Sequence, residues 1–304
     1  MAKSLVQIIA FFGQWPEWIN FYIESCKWNP DIHWLIYTDC PEPESKAENV
    51  FYKKISFEDY CQYVSNRLNI NFCPDSPYKL CDLKPAFGFI HEDDIAPYDY
   101  YAFGDIDIIY GDIRKFLTDD LLTRYQLIST HTDRISGHFI IFENSSRMRN
   151  SFRQIPNWKQ RLENKNFQGI CENTYARVFL RFQKYPRLVQ NLAKVISPFR
   201  RRCLFKEQYS TILSPIPRSD GSADHPETWL WNQGRLTNTK DGDREYCYLH
   251  FMNWKSNRYL PGKLKEQSAA WQGLPSIVNV NYRDNRWLIT PNGFEQVPEE
   301  AKVN

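Results

Sequence analysis

The sequence has no apolar run near the roughly 18 residues needed to cross a bilayer, so no membrane span is expected. Its eight cysteines form no CxxC pair and no zinc-ligand spacing. That excludes a zinc framework and leaves reduced thiols in a cytoplasmic protein as the expectation. No nucleic-acid reader motif is present, and no nucleic-acid partner is expected. The net charge of +2 excludes little by itself. A signal sequence is not expected either, because "QWPEW" follows "LVQIIAFFG" where a small-residue cleavage site would stand. What the chain does have is bulk: 304 residues with 42% hydrophobic side chains can bury a sizeable core. The 16% aromatic content suits stacking surfaces for sugars or bases, or a tyrosine-rich core.

The first 40 residues read as strand, helix, strand. "SLVQIIAFFG" is a buried strand, "WPEWINFYIESCKWNP" a helix entered through Pro16 and closed at Asn29-Pro30, and "IHWLIYTD" a second strand. A β-α-β unit of this kind implies parallel strands with ligands bound beyond their carboxyl ends. The loops after Phe12 and Thr38 therefore face the expected site. Helical spacing follows in "SFEDYCQYVSNRLNI", then in "PYKLCDLKPAFGFIHEDDI", interrupted at Lys84-Pro85, before "YDYYAFGDIDIIYGD" returns to strand. The order is alternating α/β.

Asp105 and Asp107 stand one residue apart in that last run. In a continuous strand their side chains would share a face and repel each other unless the chain bends between them. A divalent cation between them resolves the repulsion and keeps open positions for phosphate oxygens. A hydrated strand-to-loop turn is the alternative. An EF-hand is excluded, because Ile109 and Tyr110 occupy the positions that need an oxygen ligand and a glycine. A phosphatase with an Asp-x-Asp nucleophile fits poorly, since Ile109 replaces the usual threonine or valine and the motif lies a third of the way along the chain.

The run "PYKLCDLKPAFGFI" followed by "YDYYAFGDIDIIYGDIRKF" resembles the Asp-x-x-(Arg/Lys)…Asp-x-Asp arrangement of GT-A-fold glycosyltransferases, and more closely a largely uncharacterised bacterial family of that fold. "FFGQWPEW…SCKWNP…WLIYTD", "SGHFIIFENS" and "YLHFMNWK" extend the likeness over roughly residues 5–260. The resemblance implies a single-domain, Rossmann-like mixed sheet flanked by helices. It also implies transfer of a sugar from a nucleotide-diphosphate sugar to a hydroxyl, with Mn²⁺ or Mg²⁺ on the diphosphate. By the same resemblance Asp82 and Lys84 contact the donor's ribose, base or sugar, an ordinary helix-surface ion pair being the plainer reading. Phe12-Gly13 and Thr38-Asp39 lie at the donor base, although Asp39 equally suits a turn cap. Gly137 and His138 line the transferred sugar, with His138 otherwise structural. His250 resembles a third metal ligand and Lys255 a diphosphate contact, a core histidine being the competing account of His250. Glu172 stands roughly where related enzymes carry an acidic residue beside the acceptor. Asp133 is a second candidate base, read more simply as a surface carboxylate.

Residues 177–206 carry nine lysines and arginines and no acid, interleaved with apolar residues. Such a stretch suits an anionic membrane surface, an acidic acceptor polymer or a solvated face. The expected organisation is a nucleotide-sugar and metal-binding half over 1–145, then an acceptor half over 146–262 that includes the basic stretch and a C-terminal hairpin at Asp241-Gly242, and a loose tail over 263–304. The expected function is a metal-dependent glycosyltransferase acting on a bacterial surface glycan or its lipid-linked precursor, in the cytoplasm or at the inner face of the cell membrane. A non-catalytic nucleotide- or glycan-binding protein of the same fold is the alternative from another class.

Overall fold

The computed structural model describes residues 2–180, 185–196, 202–214, 216–222, 224–256 and 269–298. Continuous apolar runs make strands that are buried on both faces, and the first two become β1 (Leu5–Ala10) and β2 (Ile32–Thr38). They pair in parallel, Ile8 opposite Leu35. The crossover helix α1 (Ile19–Lys27) buries Phe21, Tyr22, Ile23 and Cys26. Next come β3 (Val50–Lys54), β4 (Tyr100–Gly104), β5 (Ile108–Tyr110), β6 (Leu127–Ser129), β7 (Phe139–Glu143) and β8 (Cys203–Phe205). Seven of these strands form one sheet in the order β3-β2-β1-β4-β7-β6-β8. β3, β2, β1 and β4 run parallel, β7 is antiparallel to β4 and β6, and β8 is parallel to β6. This is the expected mixed sheet flanked by helices. Alternation along β1 shows how the layers form: Val6 and Ile8 join the core under the helix α2 (Phe57–Leu68), whereas Leu5 and Ile9 join the one under α1.

Local signals explain several boundaries. Ser56 caps α2, its hydroxyl accepting from the Asp59 amide at 3.0 Å, and Asn69 closes the helix in the left-handed region. Pro85 replaces a regular helix by a 3₁₀ turn over Pro77–Ala86, since a proline inside a helix removes one donor and clashes with the preceding turn.

Asp105 and Asp107 do not lie within a strand. They occupy a bend between β4 and β5, leaving Asp105 partly exposed and Asp107 buried. The bend separates two carboxylates that a straight strand would have aligned.

A smaller four-stranded sheet joins β9 (Trp229–Asn232) and β10 (Arg235–Asn238) to β12 (Arg286–Thr290) and β13 (Gly293–Glu295), in the order β10-β9-β12-β13. Between β10 and β12 in the chain runs β11 (Tyr248–His250), which pairs with β5 instead. Two sequence expectations are refined here. Gln233-Gly234, both at positive φ as a type I′ turn requires, make a two-residue hairpin that the sequence reading does not name. The chain also reverses at Asp241-Gly242, where Gly242 pairs antiparallel with Asn238 and the Tyr246 amide donates to the Leu236 carbonyl at 2.9 Å, but β11 beyond it pairs with β5. Asp241 is held locally by Arg218, Asn238 and Tyr246. The tail is not loose throughout, because β12 and β13 bury Trp287, Ile289 and Phe294, with Trp287 stacked on Trp231 at 3.9 Å between centroids. Aromatic residues of this kind fill the core: Trp34, Trp229, Trp231 and Trp287 are all fully buried. None of the eight cysteines is in a disulfide. Among the described residues no helix is long and apolar enough to cross a membrane.

His91 is fully buried, stacked on Tyr37 at 4.1 Å, its Nε2 3.0 Å from the Tyr60 hydroxyl. Burial pushes its pKa down to about 3; Asp94 opposes the shift and Arg67 reinforces it. The native imidazole thus stays neutral where an unfolded one, with a pKa of about 6.5, takes a proton. Stability from this source is intact above pH ~6.5 and falls by about 1.4 kcal/mol per unit as pH drops towards 3. In urea titrations, wild type should lose about 2 kcal/mol more than His91→Phe between pH ~7 and ~5. Parallel pH profiles for the two proteins would refute this account.

A candidate metal and donor site

The site is assembled on the bend between β4 and β5. Gly104 ends β4 because a Cβ there would stand 2.4 Å from the Gln7 amide and 2.6 Å from the His138 carbonyl oxygen. Three hydrogen bonds then fix the bend. The Asp105 amide donates to the His138 carbonyl at 3.1 Å, and the Trp18 indole donates to the Ile106 carbonyl at 2.8 Å. The Phe251 amide donates to the Asp107 carbonyl at 3.2 Å. This last bond continues the β5–β11 ladder, in which His250 lies opposite Ile108. Asp105, Asp107 and His250 consequently bring one ligand atom each to within 4.8 Å of one another.

The two carboxylates are matched by two lysines. Lys84 forms an ion pair with Asp105 and also donates to the Gly137 carbonyl at 2.9 Å. Burial works against the charge on Lys84, but Asp105 prevails and raises its pKa. Lys255 stands 2.9 Å from Asp107, with its ammonium 5.7 Å from the centre of the Trp18 ring. Burial would also favour a neutral Asp107, yet Lys255 and His250 hold its carboxyl well below the usual range. His250 Nε2 is 3.5 Å from Asp107.

Both ring nitrogens of His250 are buried and have no hydrogen-bond partner. A buried imidazole is normally hydrogen-bonded, so this one is free to ligate. Two carboxylates and one imidazole offer the oxygen and nitrogen donors that divalent cations take. The donor set therefore fits a divalent ion, with Asp105, Asp107 and His250 as the residues able to hold it.

The other sequence-predicted residues fall into two groups. Lys84, Gly137, His138, Glu172 and Lys255 gather around the acidic bend. A Cβ on Gly137 would stand 3.0 Å from the Glu172 carboxylate, so glycine permits the exposed Glu172 to approach. His138 is buried, its Nε2 2.8 Å from the Tyr248 hydroxyl and its ring stacked on His250 at 4.0 Å. Burial, then His250 and His131, keep it neutral by lowering its pKa. Asp133 is exposed and pairs with the adjacent Arg134 at 3.2 Å.

Phe12, Gly13, Thr38 and Asp39 lie at the carboxyl ends of the parallel strands β1 and β2. Phe12 and Thr38 are buried, Phe12 against Tyr60 at 5.1 Å. The Thr38 hydroxyl accepts from the Cys40 amide at 3.1 Å, and Asp39 accepts from the Gly13 amide at 2.8 Å. Gly13 has a φ of 103°, and nothing lies within 4 Å of where its Cβ would be. The space beside its Cα is open, although its amide and carbonyl are held by Asp39 and Cys40.

Asp82 is buried and engaged by the protein itself. It accepts from Lys79 at 2.9 Å, from the Gln168 amide at 2.6 Å and from the Ile170 amide at 2.9 Å. It ties the 3₁₀ segment to the π-helical turn Ile170–Thr174 that carries Glu172. Sequence reasoning missed Lys79, Trp18 and Tyr248. The Lys79–Asp82 spacing of three was visible in the quoted run; nothing in the sequence singled out Trp18 or Tyr248.

Removing one partner of a buried ion pair leaves an uncompensated charge. Lys79→Met should lower stability by about 3 kcal/mol, measured by urea denaturation. A change below about 1 kcal/mol, the range of an exposed pair, would show that Asp82 does not depend on Lys79.

Comparison with known proteins adds the following. No curated protein matches the chain. Among solved structures, the galactosyltransferase LgtC with donor and acceptor sugar analogues aligns at 12% identity over 68% of this chain and 75% of that one, with a TM-score of 0.36. The glycosyltransferase GlyE of Streptococcus pneumoniae TIGR4 aligns at 12% identity over 69% and 46%, with a TM-score of 0.35. Mouse xyloside xylosyltransferase 1 aligns at 10% identity over 60% and 82%, with a TM-score of 0.32. Residues 7–296 match a family described as "Family of unknown function (DUF6625)", and the chain belongs to that family.

Proposed function

We propose that this chain is a metal-dependent glycosyltransferase that moves a sugar from a nucleotide-diphosphate sugar to a hydroxyl of a surface glycan or its lipid-linked precursor. The observation that carries the reading is the orphaned His250 imidazole beside Asp105 and Asp107, flanked by two lysines. The motif resemblance around Asp82-x-Lys84 and Asp105-x-Asp107 points the same way. Bound there, Mn²⁺ or Mg²⁺ would neutralise charge on the departing diphosphate.

The chain's own residues supply the rest. Asp105, Asp107 and His250 hold the ion. Lys255, about a third exposed, turns from Asp107 to a phosphate oxygen, while buried Lys84 stays to orient Asp105. The edge at Phe12-Gly13 and Thr38-Asp39 takes the nucleoside. Asp82 acts indirectly, through the turn that presents Glu172 to the acceptor. In the transfer step the acceptor oxygen bonds to the anomeric carbon as the bond to the diphosphate oxygen breaks, and that electron pair leaves with the nucleoside diphosphate. The acceptor's proton passes to Glu172 or to the leaving phosphate. His138, neutral and hydrogen-bonded to Tyr248, borders the transferred sugar by packing against His250. The expected place of work is the cytoplasm, at the inner face of the membrane.

Incubation with a panel of nucleotide sugars and Mn²⁺ should release nucleoside diphosphate. Release of inorganic phosphate from phosphate esters would instead indicate a phosphatase, and binding without turnover a non-catalytic protein. Asp107→Asn should reduce turnover by about 100-fold or more. Unchanged Mn²⁺-dependent nucleoside diphosphate binding in an Asp105→Asn/Asp107→Asn double variant would sink the proposal.

His250→Ala breaks no hydrogen bond, so it should weaken Mn²⁺ binding about 10- to 100-fold with little change in the urea midpoint. A loss of stability with Mn²⁺ affinity kept would make His250 a core residue.

A further inference from the structure

Part of the basic stretch is described: the helix α3 spans Arg187–Ile196. Arg181, Lys184, Arg200 and Arg201 lie outside the described residues, and so does the side chain of Lys194. On α3 the apolar side chains point into water. Leu188 is 84% exposed, Leu192 61%, Val195 77% and Ile196 70%. Their spacings of four, three and one place them on one stripe of a 3.6-residue helix. Arg187 and Gln190 lie on the other side. Outside α3 and Tyr185 just ahead of it, which is 57% exposed, the exposed large apolar side chains among the described residues, Trp28, Phe51 and Tyr78, reach only 38–43%.

We infer that α3 lies in the surface of an anionic lipid bilayer, with Leu188, Leu192, Val195 and Ile196 facing the acyl chains and the surrounding cations facing the headgroups. Charge selects this occupant. Every charged residue from 177 to 206 is basic. A second copy docking on the same stripe about a twofold axis would set one such run against the other. A bilayer rich in anionic lipid offers the complement to both features, because interfacial helices bind through apolar area and through attraction to negative headgroups together. In the chain, α3 follows the short helix Tyr175–Phe179, which continues directly from the π-helical turn bearing Glu172. The acceptor side of the proposed site is thus linked to the docked segment, as a membrane-borne acceptor would require.

The test is sedimentation of the full chain with vesicles of phosphatidylglycerol and phosphatidylcholine, or of phosphatidylcholine alone, without nucleotide or metal. Wild type should pellet with the anionic vesicles and be released as salt screens the attraction. Leu192→Glu/Ile196→Glu should weaken partitioning by about tenfold or more, and Arg187→Gln/Arg200→Gln/Arg201→Gln should weaken it most at low salt. Unchanged urea midpoints would confirm that both variants fold. Absence of wild-type binding, equal binding to neutral vesicles, or full binding by the Glu variant would each overturn the inference. So would light scattering that shows a wild-type dimer and a monomeric Glu variant, since the stripe would then be a self-association face. Because neither donor nor metal is present, failure here leaves the transferase reading standing, and failure of nucleotide binding leaves this one standing.

Discussion

Asp107 is a buried carboxylate with a second, Asp105, in the same bend, and a buried charge needs cations beside it. Much of this structure can be understood as the delivery of those cations. Lys84 comes from the 3₁₀ segment ahead of β4, where Pro85 breaks the helix, and is fixed by the Gly137 carbonyl. Lys255 comes from far along the chain, just beyond β11. The two pairs differ in character. Lys84 is buried, so its charge is committed to Asp105, whereas Lys255 reaches solvent and can exchange its partner. A site with one fixed and one releasable cation is neutralised at rest and still able to receive an anionic ligand.

The histidines add a second layer. His138 and His250 stack face to face in the interior, 4.0 Å between ring centres. Burial lowers the His138 pKa, and the ring also meets, edge-on, His131, whose Nδ1 lies 2.9 Å from the Glu207 carboxylate. Tyr248 then fixes the His138 ring from β11, one strand position pair away from His250. The ligand candidate is therefore oriented by packing, with its nitrogens left over.

Much of this was legible in the sequence, for definite reasons. The runs LVQIIA and IHWLIYT are apolar but for Gln7, His33 and the closing Thr38, which marks buried parallel strands. The Asp-x-Asp pair was legible because two acids inside an apolar run need an explanation. His250 and Lys255 were legible only through motif resemblance. What stayed hidden was pairing at long range. Nothing in "YLHF" says that it will join β5 rather than the neighbouring hairpin, because a three-residue strand carries too little pattern to specify a partner. The strands of the tail were hidden for the same reason, their contribution resting on Trp287 and Phe294 meeting Trp231 and Phe21. In sequence Asp82 reads as a donor contact or as half of a helix-surface ion pair with Lys84, and only the fold shows that two backbone amides and Lys79 surround it.

The pairing of β5 with β11 has a consequence for synthesis. Chains emerge from the ribosome amino end first, and their early parts fold before the rest is made. The large sheet needs nothing beyond β8, so it can form while residues 248–255 are still inside the ribosome. Until they emerge, Asp107 has neither Lys255 nor His250 beside it, and the bend lacks its bond from Phe251. A prematurely terminated chain would keep most of the sheet yet present an acidic bend with only one of its cations. The last of the three groups to be synthesised thus acts as a proof of length: Asp105, Asp107 and His250 come together only in a chain that has been made past β11.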